Sequence, residues 1–215
     1  MPATTRQWPC RGVYLVTPDD IDEQAVLARS AAALGAGAVM LQYRSKRADA
    51  ARRHSSAHAL RALTRAHGSL LIVNDDVELA RQVGADGVHL GRDDAPIASA
   101  RRRLGAAAII GASCYDDPAR AHAAAAAGAD YLAFGAFFAS PTKPLARRAR
   151  PDLLTAAAGY GLPLVAIGGI SADNGRPLVA AGARLLAVVS AVYAAPDPAA
   201  ATRRLTSLFE HEPNP

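Results

Sequence analysis

Cysteine is nearly absent: Cys10 and Cys114 are the only two in 215 residues. Two thiols cannot make a disulfide framework, and no Cys/His spacing resembles a zinc site. Both are therefore expected to be buried or unreactive. Aromatic residues amount to 5%, and none interleaves with arginine runs such as Arg101, Arg102 and Arg103 as a base-stacking surface would require. We read those runs as solvated helix faces, with no nucleic-acid partner, while the net charge of +5 would attract small anions. Long apolar runs are missing as well, since no window approaches the about 18 uninterrupted residues of a membrane span. The opening MPATTRQWPCRG lacks the charged start, apolar middle and small-residue cleavage site of a secretory leader. The expectation is a cytoplasmic protein with no membrane attachment.

What is abundant is alanine and short apolar runs. With 51% apolar residues the chain can bury a core, and its length fits one domain. Eight runs recur: GVYLVT (12–17), AVMLQYR (38–44), LLIVND (70–75), GVHLG (87–91), AAIIGAS (107–113), YLAFGAFF (131–138), LPLVAIGGI (162–170) and LLAVVSAV (185–192). Each is apolar at nearly every position instead of at every second one, the mark of a strand covered on both faces. Alanine-rich segments of helical character lie between them and end in glycine, at GAGAV, GADGV, GADYL and GARLL, which suits a helix end turning into the next strand. Eight such units in this length predict an α/β fold of one domain, a (β/α)8 TIM barrel over 12–211, preceded by an N-terminal extension over 1–11 where disorder is usual.

In a barrel the chemistry sits at the C-terminal ends of the strands. The third run ends in Asn74, Asp75 and Asp76, and the fourth is followed by Asp93 and Asp94, so two acidic groups face one mouth. Asp75 and Asp94 are candidates to share a Mg²⁺ ion, which takes one or two carboxylates and completes its shell with water and substrate phosphate oxygens; Asp76 and Asp93 read as helix caps. The second run supplies Gln42, Arg44 and Lys46 on alternate positions, an anion clamp if the strand continues. The long connection FFASPTKPLARRAR carries Ser140, Thr142 and Lys143 as phosphate-binding candidates and has the length of a lid. Gly168 and Gly169 would bring backbone N–H groups close to a ligand, Ser171 or Asp173 would cap the next helix, and Ser190 would face them from the last strand, where barrels commonly bind phosphate. Ser113 ends the fifth run at the same mouth. His89 is read as a hydrogen-bonded core histidine, and no serine, histidine and aspartate combine into a nucleophilic triad.

Two anion sites at one mouth imply two phosphorylated substrates and a diphosphate leaving group. LQYRSK, VNDDVELARQVGADGVHLGRDD, IIGASCYD, FGAFFASPTK and VAIGGI, in this order, resemble the thiamine phosphate synthase family over roughly Gly12 to Tyr193. The resemblance implies an alkyl-transfer enzyme that joins 4-amino-2-methyl-5-(diphosphooxymethyl)pyrimidine to 4-methyl-5-(2-phosphoethyl)thiazole. Pyrophosphate leaves first and the thiazole nitrogen captures a carbocation. It further implies that Gln42, Arg44, Lys46 and Asn74 hold the pyrimidine diphosphate, Asp75 and Asp94 bind Mg²⁺, and Ser113 and Lys143 contact pyrophosphate, with Arg44, Ser113 and Lys143 the catalytic group. Ser140, Thr142, Gly168, Gly169 and Ser190 would hold the thiazole phosphate. One departure is that Ala139 and Ser140 stand where the family commonly has Pro-Thr; another is Pro144, in place of a frequent second basic residue. A thiazole tautomerase-like isomerase on the same barrel, which needs neither Mg²⁺ nor the diphosphate clamp, and a non-catalytic phosphometabolite-binding regulator are the alternatives. A homodimer is compatible with the alanine-rich helices.

Overall fold

The computed structural model describes residues 11–46, 48–139 and 148–210; the expected N-terminal extension, apart from Arg11, lies outside them, and Cys10 with it. Eight parallel strands close into a barrel in chain order, the first pairing with both the second and the eighth. They are β1 (Gly12–Val16), β2 (Met40–Tyr43), β3 (Leu70–Asn74), β4 (Gly87–Leu90), β5 (Ile109–Tyr115), β6 (Tyr131–Phe134), β7 (Leu164–Ile167) and β8 (Leu185–Val188). The helices around them are α1 (Glu23–Gly35), α2 (Ala50–Ala66), α3 (Val77–Gln82), α4 (Ile97–Leu104), α5 (Pro118–Ala126), α6 (Asp152–Ala157), α7 (Arg176–Ala180), α8 (Ser190–Tyr193) and α9 (Pro198–Thr206). The predicted (β/α)8 barrel is the observed fold. The run at 185–192 is a strand only to Val188, and from Ser190 it is the short helix α8.

The strands lack polar alternation because both of their faces are buried, in two separate layers. Tyr14, Val16, Met40, Ile72, Tyr131, Val165 and Leu185 pack together inside the barrel. Their chain neighbours Val13, Leu15, Leu41, Val73, Leu132 and Leu186 belong to the layer between strands and helices. Cys114 lies in that outer layer, fully buried, and burial pushes its thiol up to about 12; it is inert at neutral pH.

The helix-to-strand turns use glycine as expected. Gly84, Gly128 and Gly182 follow the ends of α3, α5 and α7 with φ of 60°, 88° and 104°, the left-handed conformation that ends a helix at least cost for a residue without Cβ. At the other helix ends aspartate dominates: Asp22, Asp49, Asp76, Asp117 and Asp197 each accept a backbone N–H in the first turn of α1, α2, α3, α5 and α9.

Three local expectations are corrected. Neither Ser171 nor Asp173 caps α7, which starts after Gly175 without a side-chain cap; Ser171 Oγ instead accepts from Asp173 N, within a turn closed by Asn174 Oδ1 on Ser171 N. Asp93 does not cap α4, which begins behind Pro96 with no side-chain cap. The arginine run is only partly a solvated face. Arg101 reaches Asp130 at 2.5 Å and the Ala108 carbonyl, and Arg103 pairs with Glu78 at 2.7 Å; their side chains tie α4 to its neighbours. Among the described residues no helix is long and apolar enough to cross a membrane.

Candidate active site

The C-terminal ends of the strands and the N-termini of the helices share one mouth. Five aspartates there cap helices; Asp75 and Asp94 do not. Asp75 follows β3 in the left-handed region, with φ of 64°, uncommon for a residue with a side chain. Its N–H donates to the His89 carbonyl at 2.8 Å, fixing the kink against β4. Asp94 is held in turn by Gly91, whose N–H donates to Asp94 Oδ2 at 2.6 Å. A Cβ at position 91 would stand 2.8 Å from that oxygen, so a side chain there would push the Asp94 carboxylate aside.

The Asp94 carboxylate is the close neighbour of the Asp75 carboxylate. Partial burial, and then this neighbouring carboxylate, push Asp75 up to about 6, against the Asn74 side chain and the Arg44 guanidinium, which lower it. Like charges in contact cannot both be ionised without a counter-charge. Among the described residues no three of His, Cys, Asp and Glu gather into a metal cage. A carboxylate pair at an open mouth fits a hard divalent cation such as Mg²⁺, whose other ligands come from water and substrate.

The predicted Gln42, Arg44 and Lys46 clamp takes a different form from the one expected. The strand does not continue past Tyr43, so the three side chains share no single face. Gln42 is 5% exposed inside the barrel and its Nε2 donates to Tyr14 Oη at 2.7 Å. Arg44 sits at the rim, its Nη1 2.5 Å from Asp19 Oδ2, and its backbone N–H donates to the buried Thr17 hydroxyl at 2.8 Å. Lys46 is exposed and meets the group through its backbone N–H, 2.8 Å from Asp19 Oδ1. Asp19 thus holds the Arg44 guanidinium and the Lys46 backbone, and the sequence offered only a TPDD loop after β1 to announce it.

On β5, Ser113 points into the barrel with its Oγ 2.8 Å from His89 Nε2. The expectation of a hydrogen-bonded core histidine holds: Nδ1 lies 2.8 Å from Tyr131 Oη, and burial lowers His89 to about 4, so it is neutral at physiological pH. Across the mouth, Gly168 and Gly169 have φ of 106° and 63°. A Cβ on Gly168 would lie 2.4 Å from Ala136 Cβ, and one on Gly169 2.5 Å from the Ala139 carbonyl. Glycine is needed there for the chain's own β6 loop, independently of any ligand. Ser190 is exposed at the start of α8. Ser140, Thr142 and Lys143 lie outside the described residues.

A model of the thiamine monophosphate synthase family matches residues 13–192, nearly the whole barrel. The chain belongs to that family. The thiamine-phosphate synthase of Xanthomonas campestris pv. campestris (strain 8004) is 60% identical over 199 residues, covering 93% of this chain and 96% of that protein. The thiamine-phosphate synthase of Chromobacterium violaceum is 57% identical over 198 residues, covering 92% and 96%. Among solved structures, thiamine phosphate pyrophosphorylase from Pyrococcus furiosus superposes with a TM-score of 0.83 at 35% identity, covering 94% of this chain and 96% of that one. The span shared with the thiamine monophosphate synthase family takes in every strand end described above. Tyr14 and Tyr131, which meet Gln42 and His89 inside the barrel, were not singled out in the sequence; one tyrosine inside an otherwise apolar run carries no mark of what it faces.

Proposed function

We propose that the chain joins the pyrimidine diphosphate to the nitrogen of the thiazole phosphate, releasing pyrophosphate and giving thiamine phosphate. The Asp75–Asp94 pair carries this reading: among the described residues it is the place at the mouth where two carboxylates meet each other instead of a helix end or a guanidinium, beside Asn74 and within the field of Arg44. Mg²⁺ bound there would supply positive charge to the diphosphate and so ease its departure.

The chain's own residues do the rest. Arg44, steadied by Asp19, offers a guanidinium to diphosphate oxygens. Ser113 offers a hydroxyl to the same group, and Gln42 reads the pyrimidine end from within the barrel. The cation assigned to the leaving group is Lys143, with Lys46 as a second charge at the rim. Ser140, Thr142, the Gly168–Gly169 backbone and Ser190 hold the thiazole phosphate. Each contact aimed at charge that develops as the bond breaks is worth about 2–4 kcal/mol. A cytoplasmic setting and a homodimer complete the proposal.

The test is pyrophosphate release by the purified protein with Mg²⁺ and the pyrimidine diphosphate, with and without the thiazole phosphate, while thiamine phosphate is followed by chromatography. Equimolar thiamine phosphate and pyrophosphate are expected. Isomerisation of the thiazole phosphate without condensation would replace this reading with the tautomerase; tight binding without turnover would replace it with the regulator.

A further inference from the structure

One chain of hydrogen bonds crosses the inside of the barrel. Gln42 Nε2 is 2.7 Å from Tyr14 Oη, Tyr14 Oη is 2.9 Å from Tyr131 Oη, Tyr131 Oη is 2.8 Å from His89 Nδ1, and His89 Nε2 is 2.8 Å from Ser113 Oγ. Tyr14 and Tyr131 are at most 1% exposed and His89 is 7% exposed, so the middle of the chain is shielded from bulk water. The barrel is shaped around it. A Cβ on Gly111 would lie 1.9 Å from Tyr131 Cζ and 2.3 Å from its hydroxyl, so the glycine of IIGAS is the hollow that admits the phenol. The His89 and Tyr131 rings stack at 5.5 Å, and the Tyr14 ring meets Tyr131 edge-on at 6.1 Å.

Proton order in such a chain is collective. A neutral imidazole has one N–H, and each phenol has one proton to give. If Gln42 donates to Tyr14, Tyr14 to Tyr131, and Tyr131 to His89 Nδ1, then His89 Nε2–H donates to Ser113. The Ser113 proton is then left for the mouth, and Gln42 retains its carbonyl oxygen as an acceptor. In the reverse order Ser113 gives its proton inward and Gln42 turns its NH₂ outward. The two ends change together. An anionic diphosphate beside Ser113 requires a donor there and so selects the first order; Gln42 is then an acceptor, the complement of an exocyclic amino group.

We propose that Tyr14, Tyr131 and His89 are positioning residues that hold Ser113 as a hydrogen-bond donor and Gln42 as an acceptor, so that the diphosphate and aminopyrimidine ends of one substrate are recognised as a single pattern. This rests on the assignment of Gln42 and Ser113 to the substrate site made above.

The experiment has two readouts on purified full-length variants whose thermal unfolding is checked first. The first is the ratio of dissociation constants for the pyrimidine diphosphate and for its analogue lacking the exocyclic amino group. Tyr131→Phe, which keeps the ring in the Gly111 hollow, is expected to reduce that preference by on the order of tenfold. The second is a double-mutant cycle on the single-turnover rate. Ser113→Ala should cost several-fold less in the Tyr131→Phe background than in the unaltered protein, because the donor is already lost. Independent, multiplying effects with an unchanged amino preference would overturn the proposal. If Ser113→Ala and Gln42→Ala leave affinity and rate untouched in the unaltered background, the site assignment itself fails and the proposal with it. Should Tyr131→Phe fail to fold, Tyr14→Phe breaks the chain one bond nearer Gln42 and must lower the same amino preference.

Discussion

The two ends of the barrel use aspartate in opposite ways. At the bottom, Asp86 precedes β4 and Asp130 precedes β6, and each does the same work. Asp86 Oδ2 accepts the Leu71 N–H at 2.7 Å and Arg61 Nη1 at 2.5 Å; Asp130 Oδ2 accepts the Ile110 N–H at 2.6 Å and Arg101 Nη2 at 2.5 Å. Both carboxylates staple the start of one strand to a helix arginine and neutralise it. At the mouth, Asp75 and Asp94 face one another and the charge is left for something else. One end pairs each carboxylate with a cation and the other sets two carboxylates side by side, the arrangement expected if a barrel divides into a stabilising and a chemical face.

The largest effect expected from this contrast is on stability at the bottom. Asp86→Ala leaves the mostly buried Arg61 without its partner and should cost about 3–5 kcal/mol, read as a fall in the denaturation midpoint, while turnover of the folded fraction is unchanged. A loss of turnover without a loss of stability would break the comparison. For the residues assigned to metal and substrate the effects should invert. Asp94→Ala and Lys143→Ala should each lower the single-turnover rate by roughly a hundredfold or more with little change in midpoint; excess Mg²⁺ should partly rescue the first and leave the second as it is.

Asp130→Ala sharpens the bottom half of the contrast. In its pair with Arg101 the arginine side chain is 27% exposed and the aspartate 38%, more open to solvent than the Arg61 pair, so the loss should be near ~1 kcal/mol. The smallest effect is one of pH. A carboxylate raised to about 6 in the folded chain, from 3.8, binds its proton more tightly folded than unfolded. The site's contribution to metal-free stability therefore falls as pH rises across that window and is level above it. Metal needs the deprotonated form, so Mg²⁺ affinity should climb as pH rises through about 6 and then level. Asp94→Asn should reduce the stability change, leaving the part that burial causes. Calorimetric titration of Mg²⁺ at several pH values, alongside thermal scans of the same two proteins, checks both signs; Mg²⁺ affinity independent of pH across that range would remove Asp75 from the metal site.

Much of this was legible in the sequence. Unbroken apolar runs separated by alanine-rich segments set the strand count, because a strand buried on both faces has no polar side to show, and position at the ends of consecutive strands was enough to single out Asp75 and Asp94. Less legible were residues whose roles come from far along the chain. Asp86 and Asp130 look identical to any acid in a GAD turn, and Arg101 looks like one of three solvated arginines until Asp130 is brought beside it. Asp19 gains its role only when β1 and β2 lie side by side.

The sequence by itself determined the architecture, the closing of eight units and the end of the barrel that carries the polar residues, since periodicity and turn chemistry are local. Only the tertiary structure decided which polar groups are paired. That depends on contacts between residues such as Tyr14 and Tyr131, 117 positions apart, and no local pattern records whether a buried hydroxyl or carboxylate has met its partner.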